Sequence, residues 1–263
     1  MKLFSIFGNP VAHSRSPLLH NSVFLHVPYN AVYIRQCVAD EKDLLPTLET
    51  LSVDGGNITV PYKEEAFRIC DEVRGIACKI GAVNTIVRRE DRWIGYNTDA
   101  PGFMEAVGHL SYKRAVILGA GGTARAIAVA FEEAGIDFCV VNRSRGRLAW
   151  FASRGYCVKD WESFDPSSGY DLIINTTSAG LTDDAYPLEE GVLHTLFERA
   201  CYAVDCIYGH QTPFLALAQN YGLVTQDGGE MLIQQAILAN EIFTDGKISR
   251  IQLTKLMKEA FIL

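Results

Sequence analysis

Short apolar runs alternate with segments of helical periodicity between residues 114 and 225. The apolar runs predict strands at Arg114–Leu118, Phe138–Val141, Asp171–Asn175, Ala203–Cys206 and Leu223–Thr225. The helical periodicity predicts helices at Thr123–Ala134, Arg145–Arg154 and Pro213–Asn220. Strands that alternate with helices are typical of βαβ units, so this part of the chain is predicted to form a doubly wound parallel sheet.

The first hundred residues follow a less regular α/β pattern. Strands are predicted at Lys2–Phe7, Tyr29–Val38 and Asn57–Val60, with a hairpin of Val83–Arg88 and Trp93–Tyr96. Helices are predicted from Ser16-Pro17 onward, where Ser16 could cap the helix, and at Asp40–Leu51, Glu64–Ile80 with a break near Gly75, and Pro101–Leu110. Two further helices are expected at Gly229–Phe243 and Leu253–Phe261. Boundaries near Thr98–Gly102 and Gly228 divide the chain into two α/β domains.

Composition excludes several classes of protein. The chain has 263 residues, of which 48% are hydrophobic, and a net charge of −7, which argues against a nucleic-acid-binding surface. The seven cysteines contain no C-x-x-C spacing, so no metal site is expected, and reduced thiols favour a cytoplasmic location. The N-terminus lacks a signal-peptide pattern and no apolar run is long enough to span a bilayer. We therefore expect a soluble protein with no membrane partner.

A glycine-rich turn follows the apolar strand that ends at Leu118. The segment Gly119-Ala120-Gly121-Gly122-Thr123-Ala124 fits G-x-G-x-x-A and opens a predicted helix. The glycines allow a tight turn and close approach of a pyrophosphate, and the N-terminus of the helix attracts its charge. The alternative is a glycine-rich turn without a ligand. This context predicts a dinucleotide-binding domain and hence a nicotinamide-dependent oxidoreductase.

The next strand distinguishes the two nicotinamide cofactors. After Phe138–Val141 comes Asn142-Arg143-Ser144-Arg145-Gly146-Arg147, which has three arginines and no carboxylate. NAD sites usually have an acidic residue there, whereas arginine accommodates the 2′-phosphate of NADP. NADP(H) is therefore the expected cofactor. The alternative is that arginines at a helix start are merely solvated.

Three polar segments precede the glycine turn. They are Ser14-Arg15-Ser16-Pro17, Asn57-Ile58-Thr59-Val60-Pro61-Tyr62-Lys63 and Asn97-Thr98-Asp99. Each alone has an ordinary interpretation: a helix cap, a surface lysine and a turn. Together they supply a lysine, an aspartate and several hydroxyl and amide groups. A Lys–Asp pair suits the proton transfer that accompanies hydride addition to a carbonyl, with the aspartate orienting the lysine and tuning its pKa.

In their order along the chain these motifs resemble the shikimate dehydrogenase family. The matching segments are Gly8-Asn9-Pro10, Ser14-x-Ser16-Pro17, Asn57-x-Thr59-x-Pro61-x-Lys63, Gly81-Ala82-Val83-Asn84-Thr85, Asn97-Thr98-Asp99, Gly119-Ala120-Gly121-Gly122, Asn142-Arg143-Ser144, Asn175-x-Thr177-Ser178, Thr212-Pro213-Phe214 and Asp227-Gly228 with Gln235. The resemblance implies NADP-dependent, reversible reduction of 3-dehydroshikimate to shikimate in aromatic amino-acid (chorismate) biosynthesis.

The resemblance also implies residue roles. Lys63 is expected to be the general acid/base and Asp99 its partner. The expected substrate ligands are Ser14 and Ser16 with Tyr208 at the carboxylate, and Thr59, Asn84, Asp99 and Gln235 at the ring hydroxyls. Lys63 is expected to contact the substrate as well. The expected cofactor ligands are Gly119, Ala120, Gly121, Gly122 and Thr123 at the pyrophosphate, Asn142, Arg143 and Arg147 at the 2′-phosphate, and Cys206 and Gly228 beside the nicotinamide.

The family fold implies that the C-terminal helices return to the first domain. The expected organisation is a substrate-binding, catalytic domain of residues 1–100 plus 229–263, and a Rossmann-type NADP-binding domain of residues 101–228. The chain departs from the family pattern at Cys206 and at Gly229-Glu230. Alternatives are a quinate/shikimate dehydrogenase with broader substrate or NAD use, and a non-catalytic metabolite-binding regulator. The expected assembly is a monomer or homodimer.

Overall fold

The computed structural model describes residues 1–262, which form two compact units. Unit 1 contains Met1–Phe103 and the segment that begins at Leu232, and unit 2 contains Met104–Met231. Each unit holds one six-stranded sheet. This architecture confirms the predicted α/β class with two sheets.

Unit 1 is built on a mixed sheet. Its strands are β1 (Lys2–Gly8), β2 (Ala31–Cys37), β3 (Gly55–Ile58), β4 (Glu72–Val73), β5 (Thr85–Arg89) and β6 (Arg92–Tyr96). They lie in the order β2-β1-β3-β5-β6-β4. Strand β1 runs parallel to β2 and β3, whereas β5 runs antiparallel to β3 and β6 and forms the predicted hairpin with β6.

Helices from both ends of the chain cover this sheet. They are α1 (Ser16–Phe24), α2 (Leu44–Thr50), α3 (Lys63–Ile69), α4 (Ile76–Ile80), α5 (Asp99–Val107), α10 (Gly229–Phe243) and α11 (Arg250–Ile262). Phe243 of α10 stacks on Phe4 of β1 with ring centroids 4.7 Å apart, and α11 packs on α1. Residues of α10 and α11 therefore share one hydrophobic core with β1 and α1.

Unit 2 is a fully parallel sheet, as its alternating pattern predicts. Its strands are β7 (Arg114–Leu118), β8 (Asp137–Val141), β9 (Cys157–Lys159), β10 (Leu172–Asn175), β11 (Tyr202–Asp205) and β12 (Val224–Gln226), in the order β12-β11-β10-β7-β8-β9. Its helices are α6 (Gly122–Ala134), α7 (Arg145–Ala152), α8 (Glu190–Phe197) and α9 (Pro213–Asn220). The strand residues of β7 and β10 are almost all buried, as is usual for central parallel strands.

Three local predictions differ from the structure. The expected helix Glu64–Ile80 is two short helices, α3 and α4, with β4 between them, because Cys70 takes an extended conformation. Strand β9 and helix α8 are absent from the predicted elements. The expected helix Asp40–Leu51 begins with a 3₁₀ turn at Glu41–Asp43 before α2.

Two structural features are absent from residues 1–262. No helix in that range is both long and apolar enough to cross a membrane. The same range contains no group of three or more His, Cys, Asp or Glu side chains arranged to hold a metal ion.

Candidate functional site

A lysine and an aspartate from two helix starts form an ion pair in unit 1. Lys63 is the first residue of α3 and Asp99 is the first residue of α5. The Lys63 Nζ lies 2.7 Å from the Asp99 Oδ2, and the two side chains are only 15% and 11% exposed. The pair is therefore held in a largely dehydrated environment, yet the ammonium remains within reach of solvent.

Two asparagines fix the orientation of Asp99. The Asn84 Nδ2 donates to the second carboxylate oxygen, Asp99 Oδ1, at 2.8 Å. The Asn97 side-chain oxygen accepts the backbone N–H of Asp99 at 3.1 Å and so holds the start of α5. Asn84 is itself oriented, because its Oδ1 accepts the backbone N–H of Thr98 at 2.7 Å. Asn84 thus orients the Asp99 carboxylate directly. Its expected contact with a ring hydroxyl stays a prediction.

A buried chain of polar side chains extends from Asn84 toward β2. Thr85 donates to the Asn84 Oδ1 at 3.0 Å and accepts from the Asn57 Nδ2 at 3.0 Å. The Tyr33 hydroxyl donates to the Asn57 Oδ1 at 2.7 Å. Burial raises the pKa of the Tyr33 hydroxyl, so this donor keeps its proton. The chain satisfies these groups in the interior and makes the position of Asn84 rigid.

The two expected carboxylate ligands lie together at the start of α1. Ser14 and Ser16 are buried, and their hydroxyl oxygens are 3.2 Å apart. Arg35 of β2 donates twice to the carbonyl oxygen of Ser14, at 3.0 and 2.7 Å. The cap position of α1 is Arg15, and no side chain caps the helix. The prediction that Ser16 caps α1 is therefore wrong, and its hydroxyl is free of that role.

The remaining expected substrate ligands of unit 1 lie on different elements. Thr59 follows β3, and its backbone N–H donates to the Phe7 carbonyl of β1 at 2.8 Å. Gln235 lies on α10, is buried, and its Nε2 donates to the Leu232 carbonyl at 2.8 Å. The backbone of Thr59 and the side chain of Gln235 are thus held in place, and the roles of both residues toward a ligand stay predictions.

The glycine turn of unit 2 has the backbone geometry that a pyrophosphate needs. Gly119 has φ +108°, and a Cβ there would lie 2.6 Å from the Thr176 Oγ1, so only glycine fits. Ala120 is buried, and α6 begins at Gly122, followed by Thr123. A Cβ on Gly121 would meet no atom within 4 Å, so there is open space at this N-terminus. Free N–H groups and open space at a helix start fit a bound phosphate.

The three arginines after β8 differ in their partners. Arg145 pairs with the buried carboxylate of Asp160, which also accepts from Ser163. Bonds from Ser163 and then from Arg145 lower the pKa of Asp160 to about 2. Arg143 lies over the Trp161 ring at 5.8 Å. Within residues 1–262, neither Arg143 nor Arg147 has an acidic partner.

Those two guanidinium groups are thus available to a ligand phosphate, and the expected contact of Arg143 and Arg147 with a 2′-phosphate stays a prediction. Asn142, the third member of the expected set, follows β8 directly. Its Nδ2 donates to the Ser144 carbonyl at 3.0 Å and closes the turn that carries Arg143, just before α7, which carries Arg147.

The two residues expected beside the nicotinamide are in contact with each other. A Cβ on Gly228 would lie 2.3 Å from the Cys206 carbonyl oxygen, so this approach requires glycine. The Gly228 N–H donates to the Ile207 carbonyl at 2.9 Å. Tyr208 follows in the same loop, and its role toward a carboxylate stays a prediction. The loop after β11 therefore rests on the segment that precedes α10.

A buried aspartate holds this loop in place. The Asp205 carboxylate accepts from the Asn175 Nδ2 at 3.1 Å, from the Thr212 hydroxyl at 2.7 Å and from the Ile207 N–H at 3.0 Å. Burial nevertheless raises its pKa. Asn175 ends β10, Ile207 follows β11 and Thr212 caps the start of α9. One carboxylate therefore fixes the carboxyl edge of the sheet, where parallel α/β folds bind their ligands.

Several supporting residues were missed by sequence reasoning. They are Tyr33, Arg35, Thr85, Asn175, Asp205 and Thr212. The only sequence signal for Tyr33 and Arg35 is that they are two residues apart on a predicted strand, so that their side chains share one face of it. Thr85, Asn175 and Thr212 lie in motifs that match the family, but no role was assigned to them. Their supporting roles, like that of Asp205, became evident only when distant segments met in the fold.

Known proteins match the chain over nearly its whole length. Residues 6–86 match the family model described as the shikimate dehydrogenase substrate binding domain. The chain is 43% identical to the shikimate dehydrogenase (NADP(+)) of Helicobacter hepaticus, over 94% of this chain and 92% of that protein. It is 41% identical to that of Helicobacter pylori, over 99% of each.

A solved structure agrees with these relatives. The shikimate 5-dehydrogenase of Thermus thermophilus, in complex with NADP(H) and shikimate, is 34% identical over 99% of this chain and 100% of that chain, with a TM-score of 0.86. Sequence identity of this level over nearly the whole chain indicates a shared family and not only a shared fold. The chain therefore belongs to the shikimate dehydrogenase family.

Proposed function

We propose that the chain is an NADP-dependent shikimate dehydrogenase, which reversibly reduces 3-dehydroshikimate to shikimate in the pathway to chorismate. The observation that carries this proposal is the 2.7 Å pair between Lys63 and Asp99, held by Asn84. The named activity of relatives that are 43% and 41% identical supports it.

Proton transfer is the task of the pair. NADPH, when bound, supplies the hydride for the carbonyl carbon, and NADP⁺ accepts it in the reverse direction. The Lys63 ammonium donates a proton to the carbonyl oxygen as negative charge develops there, and Lys63 takes the proton back in the oxidation. Asp99 holds the ammonium in place, and Asn84 keeps Asp99 from turning away.

The polar groups of unit 1 suit a polyhydroxylated carboxylate. We assign the substrate carboxylate to Ser14 and Ser16, whose hydroxyls are 3.2 Å apart, with Tyr208 as a further ligand. We assign the ring hydroxyls to Thr59, Asn84, Asp99 and Gln235. Buried hydroxyl and amide groups discriminate strongly against a ligand that leaves them unpaired.

The cofactor is assigned to unit 2. Gly119, Ala120, Gly121, Gly122 and Thr123 would hold the pyrophosphate, and Asn142, Arg143 and Arg147 the 2′-phosphate. Cys206 and Gly228 would line the nicotinamide. The absence of an acidic partner for Arg143 and Arg147 within residues 1–262 supports NADP over NAD.

We propose the corresponding functional domains as residues 1–100 plus 229–263 for the substrate and 101–228 for the cofactor. We also propose a cytoplasmic location, which is supported by seven cysteines that form no disulfide bond within residues 1–262. The proposed partners are the small-molecule substrate and cofactor, without nucleic acid or membrane, in a monomer or homodimer.

The proposal is tested by incubating the purified chain with shikimate and NADP⁺. The absorbance of NADPH should rise only when both are present. A chain that binds both molecules, as seen by calorimetry, but forms no NADPH under any condition would instead be the metabolite-binding regulator.

A further inference from the structure

Two of the seven cysteines face each other across the edge of the unit 2 sheet. Cys139 on β8 and Cys157 on β9 are register partners in a parallel pair. The Cys157 Sγ lies 2.6 Å from the Cys139 Sγ. Neighbouring strands are about 4.8 Å apart, which falls within the Cα separation of about 4.4–6.8 Å that a disulfide spans. The strand spacing and the contact between the two sulfurs are therefore compatible with a bond between them.

The two thiols have different environments. Cys139 is 1% exposed and hydrogen-bonds with the buried Tyr170. Burial raises the pKa of the Cys139 thiol to about 12, so it stays protonated in the reduced protein. Cys157 is exposed, because β9 is an edge strand of the sheet. A reagent from solvent would thus meet Cys157 first, with Cys139 directly behind it.

We propose that Cys157 and Cys139 form a redox-modification site, at which a low-molecular-weight disulfide such as oxidised glutathione converts the two thiols into a cross-strand disulfide. The Cys157 thiolate attacks one sulfur of glutathione disulfide, whose S–S bond breaks and releases one glutathione thiolate. The Cys139 sulfur then loses its proton to solvent and attacks the Cys157 sulfur, and the second glutathione leaves. The protein loses two electrons and two protons, and two glutathione thiols form.

The nearby thiol of Cys139 distinguishes Cys157 from the other exposed cysteines. Cys37, Cys78 and Cys201 are exposed too, but within residues 1–262 none of them has a second cysteine in contact. Attack at those positions would stop at the mixed disulfide with glutathione. They therefore serve as internal controls for the chemistry at Cys157.

The proposed bond would fasten the edge of the sheet. Strand β9 has three residues and pairs with β8 alone, and the Lys159 carbonyl accepts the Asn142 N–H at 3.2 Å. A covalent link at Cys157 would hold β9 against fraying. The oxidised protein should therefore melt at a higher temperature and exchange the β9 amides more slowly.

The test treats the full chain with oxidised glutathione and maps its disulfides by peptide mass spectrometry. We expect a Cys139–Cys157 cross-link, loss of two hydrogen atoms in mass, and reversal by dithiothreitol. The variant Cys157→Ser should form no intrachain bond, and Cys139→Ser should keep glutathione on Cys157. The variant Cys37→Ser should form the cross-link like the wild type.

Three results would overturn the site. One is wild-type protein that retains glutathione on Cys157 without resolving it. Another is a different pairing of cysteines, and the third is no reaction at Cys157 while Cys37, Cys78 and Cys201 react. Because the decisive readout uses the wild-type chain, it does not depend on whether the Cys139→Ser variant folds.

Discussion

The ammonium of Lys63 and the carboxylate of Asp99 are 2.7 Å apart although 35 residues separate them in the chain. Each lies at the first position of a helix, and the aspartate is locked on its far side by Asn84. A pair that was only a surface ion pair would need no such support, since exposed pairs add little stability. The arrangement instead fits the role of oriented proton donor proposed for Lys63.

The first prediction concerns the replacement of Lys63, the proposed proton donor. Lys63→Met keeps most of the side-chain volume and removes the proton, so kcat should fall by roughly 10²-fold or more. Steady-state kinetics with shikimate and NADP⁺ measure the effect. Lys42→Met, at an exposed lysine, is the matched control and should retain wild-type kcat. Near-normal turnover by Lys63→Met would contradict the assignment of the proton donor.

The serine pair should act on substrate binding. Ser14→Ala and Ser16→Ala each remove a hydroxyl expected to contact the substrate carboxylate. Loss of a hydrogen bond to a charged group costs about 1.5–3 kcal/mol, so kcat/KM for shikimate should fall about tenfold to a hundredfold. Initial rates across shikimate concentrations give this ratio.

The control for that experiment lies on the same helix. Ser22 donates to the Leu19 carbonyl within α1, and Ser22→Ala should leave kcat/KM near the wild-type value. If Ser22→Ala and Ser16→Ala lowered kcat/KM equally, the serines would be acting on the stability of α1 and not on the substrate.

The arginines after β8 should determine the preference for NADP⁺ over NAD⁺. Removing both guanidinium groups, in Arg143→Ala/Arg147→Ala, should raise KM for NADP⁺ by about tenfold or more, since each is proposed to donate a charge-assisted bond to the 2′-phosphate. The KM for NAD⁺ should change little, because NAD⁺ has no 2′-phosphate. Arg145→Ala is the matched control, as Arg145 is already paired with Asp160. Equal losses with both cofactors would show that these arginines do not read the 2′-phosphate.

A buried histidine predicts a specific pH dependence of stability. His20 is fully buried, stacks on Tyr33 at 4.3 Å, and contacts the Asn240 amide at 3.1 Å. Burial lowers the pKa of His20 to about 3 from its ordinary 6.5. Below pH 6.5 the unfolded chain binds a proton that the folded chain does not, so stability falls as the pH falls from 6.5 toward 3.

Urea unfolding at several pH values measures this effect. Between pH 6 and 4, the histidine should contribute a loss of up to about 1.4 kcal/mol per pH unit. His20→Gln is less stable overall through lost stacking, but its stability should fall less steeply over that range. Parallel pH profiles for the two proteins would mean that His20 binds its proton in the folded state.

The elements that sequence analysis predicted well are those with strong local signals. The Gly119–Gly122 turn sits between a buried strand and a helix, and the hairpin of β5 and β6 has alternating strand residues around a polar turn. Strand β9 was missed because Cys157–Lys159 is only three residues long and its pairing with β8 is non-local. Helix α8 follows a long polar loop, which hid the spacing of its buried residues.

The residues of the functional site also differ in whether a local sequence signal or a long-range contact reveals them. Lys63, Asp99 and the serines belong to motifs that are contiguous in sequence, so their chemistry could be recognised before the fold was known. The hydrogen bonds from Tyr33 to Asn57 and from Asn57 to Thr85 join three different strands. Such contacts depend on sheet order and register, which no local pattern specifies.

The most direct test of the central claim is a comparison of kcat/KM for four substrate pairs, shikimate or quinate with NADP⁺ or NAD⁺. Quinate carries an additional hydroxyl on the carbon that bears the carboxylate, and therefore needs more room beside Ser14 and Ser16. We expect shikimate with NADP⁺ to give the highest value of the four. A higher kcat/KM for quinate with NAD⁺ would contradict both the substrate and the cofactor assigned here.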